Sequence, residues 1–579
     1  MRKSLRYLTF AGVVFFLSGC STLTSNPAVA EKADEPAIAH PVSEPSPKLP
    51  AVQLTPDLIY QLLVAEIAGQ RGHLEQSAVN YLRVAYATRD PRIARRATRI
   101  AIYARDFKLA TEAAQLWVGI APDDPEARQS LAALLIREGK SDAALTHLEK
   151  LLQISASAHE RGFALVTGLL SREQDKQRAL AVMEKLVAPR QNDPDALYAY
   201  AHLASIMGEQ AKAAAILDKV FALKPNWSQA LALKAEVLRK QGHKAEALAT
   251  FKKAVDADPK NTSLRLAYAR VLVDEKHLTE AREQFQTLSD QMPDNADVTF
   301  ALGLLALEAN DLDEAERQFG RLLTSGQHTN AAAYSLGQIA EQRDHWQQAI
   351  KWYSAVGEGD NYLDAQVRIA VLLAKHQGLD KAQRFLHSVQ VHAPEDEVRL
   401  YLVEGELLRD AGRNKEARAV YNEALQHYPD HPDVLYARAM VEERLGRVDL
   451  LERDLRRIIE LDPDNAQALN ALGYTLADQT KRYKEAYGYI KKALNQEPDD
   501  PAVMDSMGWV LYRMGRLKEA QDYLQRAFDQ TKDPEIAAHL GEVLWKRGRK
   551  GEARKVWDAA LKEGNGHKVL EETVQRLTQ

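Results

Sequence analysis

Cys20 is the only cysteine in the chain. That excludes a disulfide framework and any site built on clustered thiolates. A basic surplus is missing too: 76 Lys and Arg stand against 81 Asp and Glu, a formal charge of -5, where a general nucleic-acid binder would carry a positive excess. The apolar run Leu8 to Leu17 falls short of the about 20 residues that a membrane-spanning helix needs. No HExxH pair, phosphate-cradling glycine loop or GxSxG elbow occurs. Nothing therefore supplies a nucleophile with its base or a metal site, and we read the chain as non-catalytic, with no cofactor and no metal.

What the N-terminus does have is an address. Arg2, Lys3 and Arg6 precede the short apolar run, the pattern of a signal peptide. The run ends in Leu17-Ser18-Gly19-Cys20, which looks like a bacterial lipobox. That resemblance implies removal of residues 1–19 and a lipid on Cys20. Ser21 in place of aspartate after the cysteine implies sorting to the outer membrane, with the body facing the periplasm. Residues 20–56 hold Pro27, Pro36, Pro41, Pro45, Pro47 and Pro50 and no apolar period. Such a segment buries too little to offset its chain entropy, so a disordered tether is expected.

The remainder is periodic. From Ser228 to Asn261, apolar and small residues recur at helical spacing in two runs (Leu231, Ala235, Leu238, then Ala247, Phe251, Ala254), split by Gly242 and closed by Pro259. From Pro259 to Pro293 is 34 residues, the period of a tetratricopeptide repeat. In this register repeats begin at Leu58, Pro91, Pro125, Glu160, Pro194, Ser228, Thr262, Ala296, Asn330, Leu363, Val398, Pro432, Ala466, Pro501 and Pro534. At or beside the twentieth place thirteen of them carry Ala, from Ala110 to Ala553; the exceptions are Ser77 and Leu451. Ala there lets the second helix (B) of a repeat approach the first (A) closely. Prolines such as Pro259, Pro394 and Pro463 are expected to stop helix B.

The chain thus resembles tetratricopeptide-repeat proteins, which implies an all-α superhelical solenoid of about fifteen helix pairs. Leu570, Val574 and Leu577 mark a C-terminal capping helix. The terminal punctuation weakens at Thr324 to Gln327 and at Gly357 to Asp360, which suggests a bend between an N-terminal superhelix (57–328) and a C-terminal one (329–579).

Function must then lie on surfaces. His73, His243, His277 and His345 all fall at the sixteenth place, the turn between the helices. Equivalent turns lie on the order of 20 Å apart at about 8 to 10 Å per packed helix, so they cannot share a metal. In tetratricopeptide solenoids places two, five and nine of helix A line the concave groove. The second repeat puts Arg92, Arg95 and Arg99 there, able to hold an acidic segment; a solvated face paired with neighbouring acids is the other reading. The last three repeats present Asn470, Tyr474, Trp509, Tyr512 and Trp545, the make-up of an interface hot spot. Trp545, at the twelfth place, could instead pack against the end helix.

Lipobox, Pro-rich tether and repeat array together resemble the tetratricopeptide-repeat outer-membrane lipoproteins of Gram-negative bacteria. The runs ALNALGYTLAD and MGWVLYRMGRLKEA are most similar to those of the lipoproteins that partner periplasmic carboxyl-terminal processing proteases. The resemblance implies an adaptor that docks the serine protease and presents cell-wall hydrolases to it. Two other readings remain open from the residues: an assembly factor for an envelope machine such as an exporter, pilus or insertion complex, and a peptidoglycan-binding module whose aromatics stack on sugars.

Overall fold

The computed structural model describes residues 50–154, 159–563 and 568–579. The leader, Cys20 and the tether as far as residue 49 lie outside the described residues. The described residues form 31 α-helices and no strand. They are fifteen successive A and B pairs, from Pro56–Gln70 with Leu74–Thr88 to Pro534–Lys546 with Lys550–Glu563, followed by a last helix, Lys568–Thr578.

Local chemistry sets each pair. Asp90, Asp124, Asp193, Asp500 and Asp533 cap helices A by accepting backbone N–H groups of the first turn, each followed by a proline whose fixed φ suits that turn. Between A and B the chain enters the left-handed region, at Gly242 (φ 85°) and even at Lys276 (φ 63°), which closes the turn in a few residues. The Ala at the twentieth place is at most 1% exposed in every one of the thirteen repeats that carry it. Ser77 occupies the same position in the first repeat by donating its hydroxyl to the carbonyl of Ala65, 2.6 Å away. Leu451 is fully buried, and its repeat is a complete pair, Pro432–Arg444 with Val448–Leu461.

Glycine at the eighth place completes the packing. A Cβ on Gly405 would overlap the Tyr421 ring, and one on Gly541 would overlap Trp557. Both rings lie fully buried across the helix A backbone.

In the ninth and tenth repeats helix B is cut to eight residues, Trp346–Tyr353 and Leu379–Leu386. After Tyr353 the chain is held by Asn330, whose side chain donates to Gly357 O and Glu358 O and accepts from Gly357 N. Pro394, expected to close a helix B, instead opens the next helix A, Pro394–Asp410, at its first turn. The helix before it has already ended at Leu386, so proline fills the position where a missing amide donor matters least. By internal contacts the chain divides into two compact units, one ending at Ala309 and the other running from Asn310 to Gln579.

Candidate partner-binding surfaces

In the first unit Pro91–Tyr103 carries the arginine stripe. Arg92 folds back on its own capping residue, its guanidinium 2.7 Å from Asp90 Oδ2, and that bond holds the Asp90 carboxyl below the usual carboxylate range. Arg95 and Arg99 reach forward to one acid of the third repeat, Glu126, at 2.5 and 2.6 Å. Arg96 reaches back to Glu66 of the first repeat at 2.8 Å and lies over the Tyr81 ring. Four guanidiniums thus meet three carboxylates, and the arginine side chains remain 45 to 68% exposed. The stripe staples three repeats while keeping donors in solvent and a residual positive charge.

Of the predicted groove residues in the second unit, Tyr474 and Trp509 both pack on His539 and Tyr512 packs on Trp509, whereas Asn470 and Trp545 lie apart from that cluster. Trp509 donates Nε1 to Asp478 Oδ1 (3.2 Å), stacks on His539 with centroids 4.1 Å apart and is only 7% exposed. Tyr474 donates its hydroxyl to Glu535 Oε1 (3.1 Å), a contact from the thirteenth repeat to the fifteenth. Tyr512 donates to Glu542, which also receives Arg576 of the last helix at 2.5 Å. Trp545 packs on Trp557 and lies under Lys550, and Asn470 Oδ1 is buried without a hydrogen-bond partner. Tyr474, Trp509 and Tyr512 are therefore a packed floor, with their polar tips already engaged.

Four acids around that floor were not singled out in the sequence: Glu443, Asp478, Asp505 and Glu535, one from each of the last four repeats. Burial pushes the Glu443 carboxyl above its ordinary pKa, and Glu535 and Asp478 add to the shift. Burial would discharge His539, but the Asp505 carboxylate, both oxygens 3.0 Å from Nδ1, outweighs it together with Glu535 and Asp478, so its pKa is raised. Asp505 and Glu535 stand at groove places five and two, so aligning the repeats was the signal that could have found them. Chemically, this concave face offers an aromatic floor ringed by carboxylate and suits a cationic segment, whereas the arginine stripe suits an anionic one. Among the described residues no group of three His, Cys, Asp or Glu could hold a metal ion, and no helix is long and apolar enough to cross a membrane.

Family and relative comparisons by sequence agree with this architecture. Tetratricopeptide repeat families match residues 125–150, 238–299, 300–362, 402–450, 452–501 and 506–568. The chain is 37% identical over 583 residues to the TPR repeat-containing protein PA4667 of Pseudomonas aeruginosa, covering 100% of this chain and 97% of that protein. It is 27% identical over 156 residues to the type IV pilus assembly protein PilF of the same organism, 26% of this chain and 62% of PilF. A solved tetratricopeptide repeat protein from Parabacteroides merdae is 16% identical with a TM-score of 0.33, covering 49% of this chain and 99% of that one.

Proposed function

The chain belongs to the tetratricopeptide-repeat family, as a scaffold for protein–protein contacts, and from that premise we propose that it is an outer-membrane lipoprotein adaptor, anchored through Cys20 and facing the periplasm. It holds a carboxyl-terminal processing protease and the cell-wall hydrolases that this protease degrades. The observation that carries the reading is the contrast between two linings on one chain: exposed arginines in the second repeat, and an acid-ringed aromatic floor in the last four. Opposite chemistries let one chain hold two clients at once. Holding both makes their encounter nearly intramolecular, at a local concentration in about the millimolar range for short flexible links.

The test is a pull-down from periplasmic extract followed by paired variants. Recovery of the protease together with cell-wall hydrolases supports the reading. Charge reversal at Arg92, Arg95 and Arg99 should then release one client, and Glu443→Gln with Asp478→Asn the other. Loss of the same client from both sets would refute the division of labour. The acids are the better probes, because Trp509→Ala would open a packed floor as well as a surface.

A second reading, an assembly factor for an envelope machine, takes its support from the likeness to PilF over a quarter of the chain. Recovery of pilus, exporter or insertion components without a protease would favour it. Sugar stacking is less well supported, since Trp509 leaves little ring face open.

A further inference from the structure

The first helix of the array, Pro56–Gln70, is apolar on two opposite faces. Ala65 and Ala68 are buried on one. At 3.6 residues per turn Ile59, Tyr60, Leu63 and Ile67 share an arc of roughly 100° on the other, and there they are 44, 67, 55 and 48% exposed. A helix apolar all round is normally a buried one.

Later repeats show what this second face does. Tyr60 and Ile67 stand at places three and ten. Their equivalents are covered in the second repeat, where Ile93 and Ile100 pack against a cluster that includes Leu82 and Ala85 of the repeat before. In the third repeat Ala127 and Leu134 are 0 and 4% exposed, and in the eighth Val298 and Leu305 are 1 and 8%. The first repeat has the stacking surface of an interior one, and among the described residues no helix is stacked on it. At the other end Lys568–Thr578 closes the array, burying Leu570 completely. Among the described residues that end exposes a single large apolar side chain, Val569 at 41%, so head-to-tail stacking of copies finds no matching apolar face.

We propose that the exposed face of this first helix pairs with the same face of a second copy, the two helices antiparallel about a two-fold axis at Leu63 and Val64. Such an isologous contact is self-complementary and closes at two subunits. It sets Tyr60 over the partner's Ile67 and brings Asp57 beside the partner's Arg71, twice. Among the described residues neither Asp57 nor Arg71 has an ion-pair partner; Asp57 accepts a hydrogen bond from Gln61, on its own helix. Glu66 is turned away to Arg96 and does not oppose the pairing. Four half-exposed large side chains per copy, with the charged residues that flank them, put the contact below the usual size of specific interfaces, at about 1,000 Å² in all. A contact of this size is expected to form reversibly rather than permanently.

Cys20 is the only thiol, so the full chain carrying Cys20→Ser accepts a single reporter cysteine. On mild oxidation Leu63→Cys should form a covalent dimer at least roughly tenfold faster than Tyr103→Cys, a control at a more exposed site (82%). In sedimentation equilibrium Asp57→Arg and Arg71→Asp should each weaken the dimer by roughly tenfold, and the double exchange should restore it. Equal cross-linking at the two sites, a monomer at all concentrations up to about 100 µM, or single charge variants that behave as wild type would each overturn the proposal. So would a monomer whose Leu63 face captures a different protein.

Discussion

His539 shows how a single residue reports on the groove. It is 5% exposed, and the carboxylate of Asp505 keeps its proton in place against burial. A histidine whose pKa is raised by folding contributes stability that is complete below the unfolded value of about 6.5 and is lost as pH rises through the folded value. Thermal melts between about pH 6 and pH 8.5 should therefore show the wild type losing ground relative to His539→Gln, which has no proton to lose. Parallel curves would mean that the charged pair is absent. Gly405 makes a steric point at the same scale: Gly405→Ala drives a methyl into the Tyr421 ring and should destabilise by about 1 to 3 kcal/mol. The double variant with Tyr421→Leu should recover part of that in denaturant titration, because the smaller side chain vacates the space.

Helices rather than residues decide what the arginine stripe is worth. Arg95 and Arg99 on Pro91–Tyr103 converge on Glu126 at the start of Pro125–Arg137. Exposed pairs of this kind contribute about 1 kcal/mol or less. Glu126→Gln should therefore leave the melting temperature nearly unchanged while freeing two guanidiniums, raising the association rate of an acidic client and steepening its salt dependence. Stopped-flow association at two ionic strengths separates this from a structural role; a fall in rate would contradict it. Spacing of three and four placed Arg92, Arg95 and Arg99 on one face, since that follows from helix geometry alone. It could not assign Glu126 and Glu66 as partners, because those contacts depend on how far neighbouring helices are offset, which a single repeat does not encode. Pro394 failed for a related reason: a proline that ends one helix and a proline that begins the next look alike when the loop between them changes length.

At the scale of the molecule the fold was legible because one unit is written fifteen times, and thirteen alanines fix the register. The floor of the second groove was legible only in part. Tyr474 and Trp509 were placed on the concave side, but their burial rests on contacts between repeats, Trp509 with His539 and Tyr474 with Glu535 across 61 residues, rather than on any one repeat. Repeat arrays are close to one-dimensional: each pair is stabilised by its neighbours, so damage spreads along the stack and fades. Leu570 is the buried anchor of the closing helix, and Arg576 from the same helix holds Glu542. Leu570→Asp should therefore unseat that helix and leave Glu542 with Tyr512 as its remaining partner. Native-state hydrogen exchange should accelerate in Pro534–Lys546 and Lys550–Glu563, less in Pro501–Arg513, and not at all in the helices of repeats one to five. A uniform rise along the whole chain would show that the array unfolds as one cooperative body. Partners seated on distant repeats would then feel each other through stability, whereas local exchange would leave the two binding surfaces free to load independently.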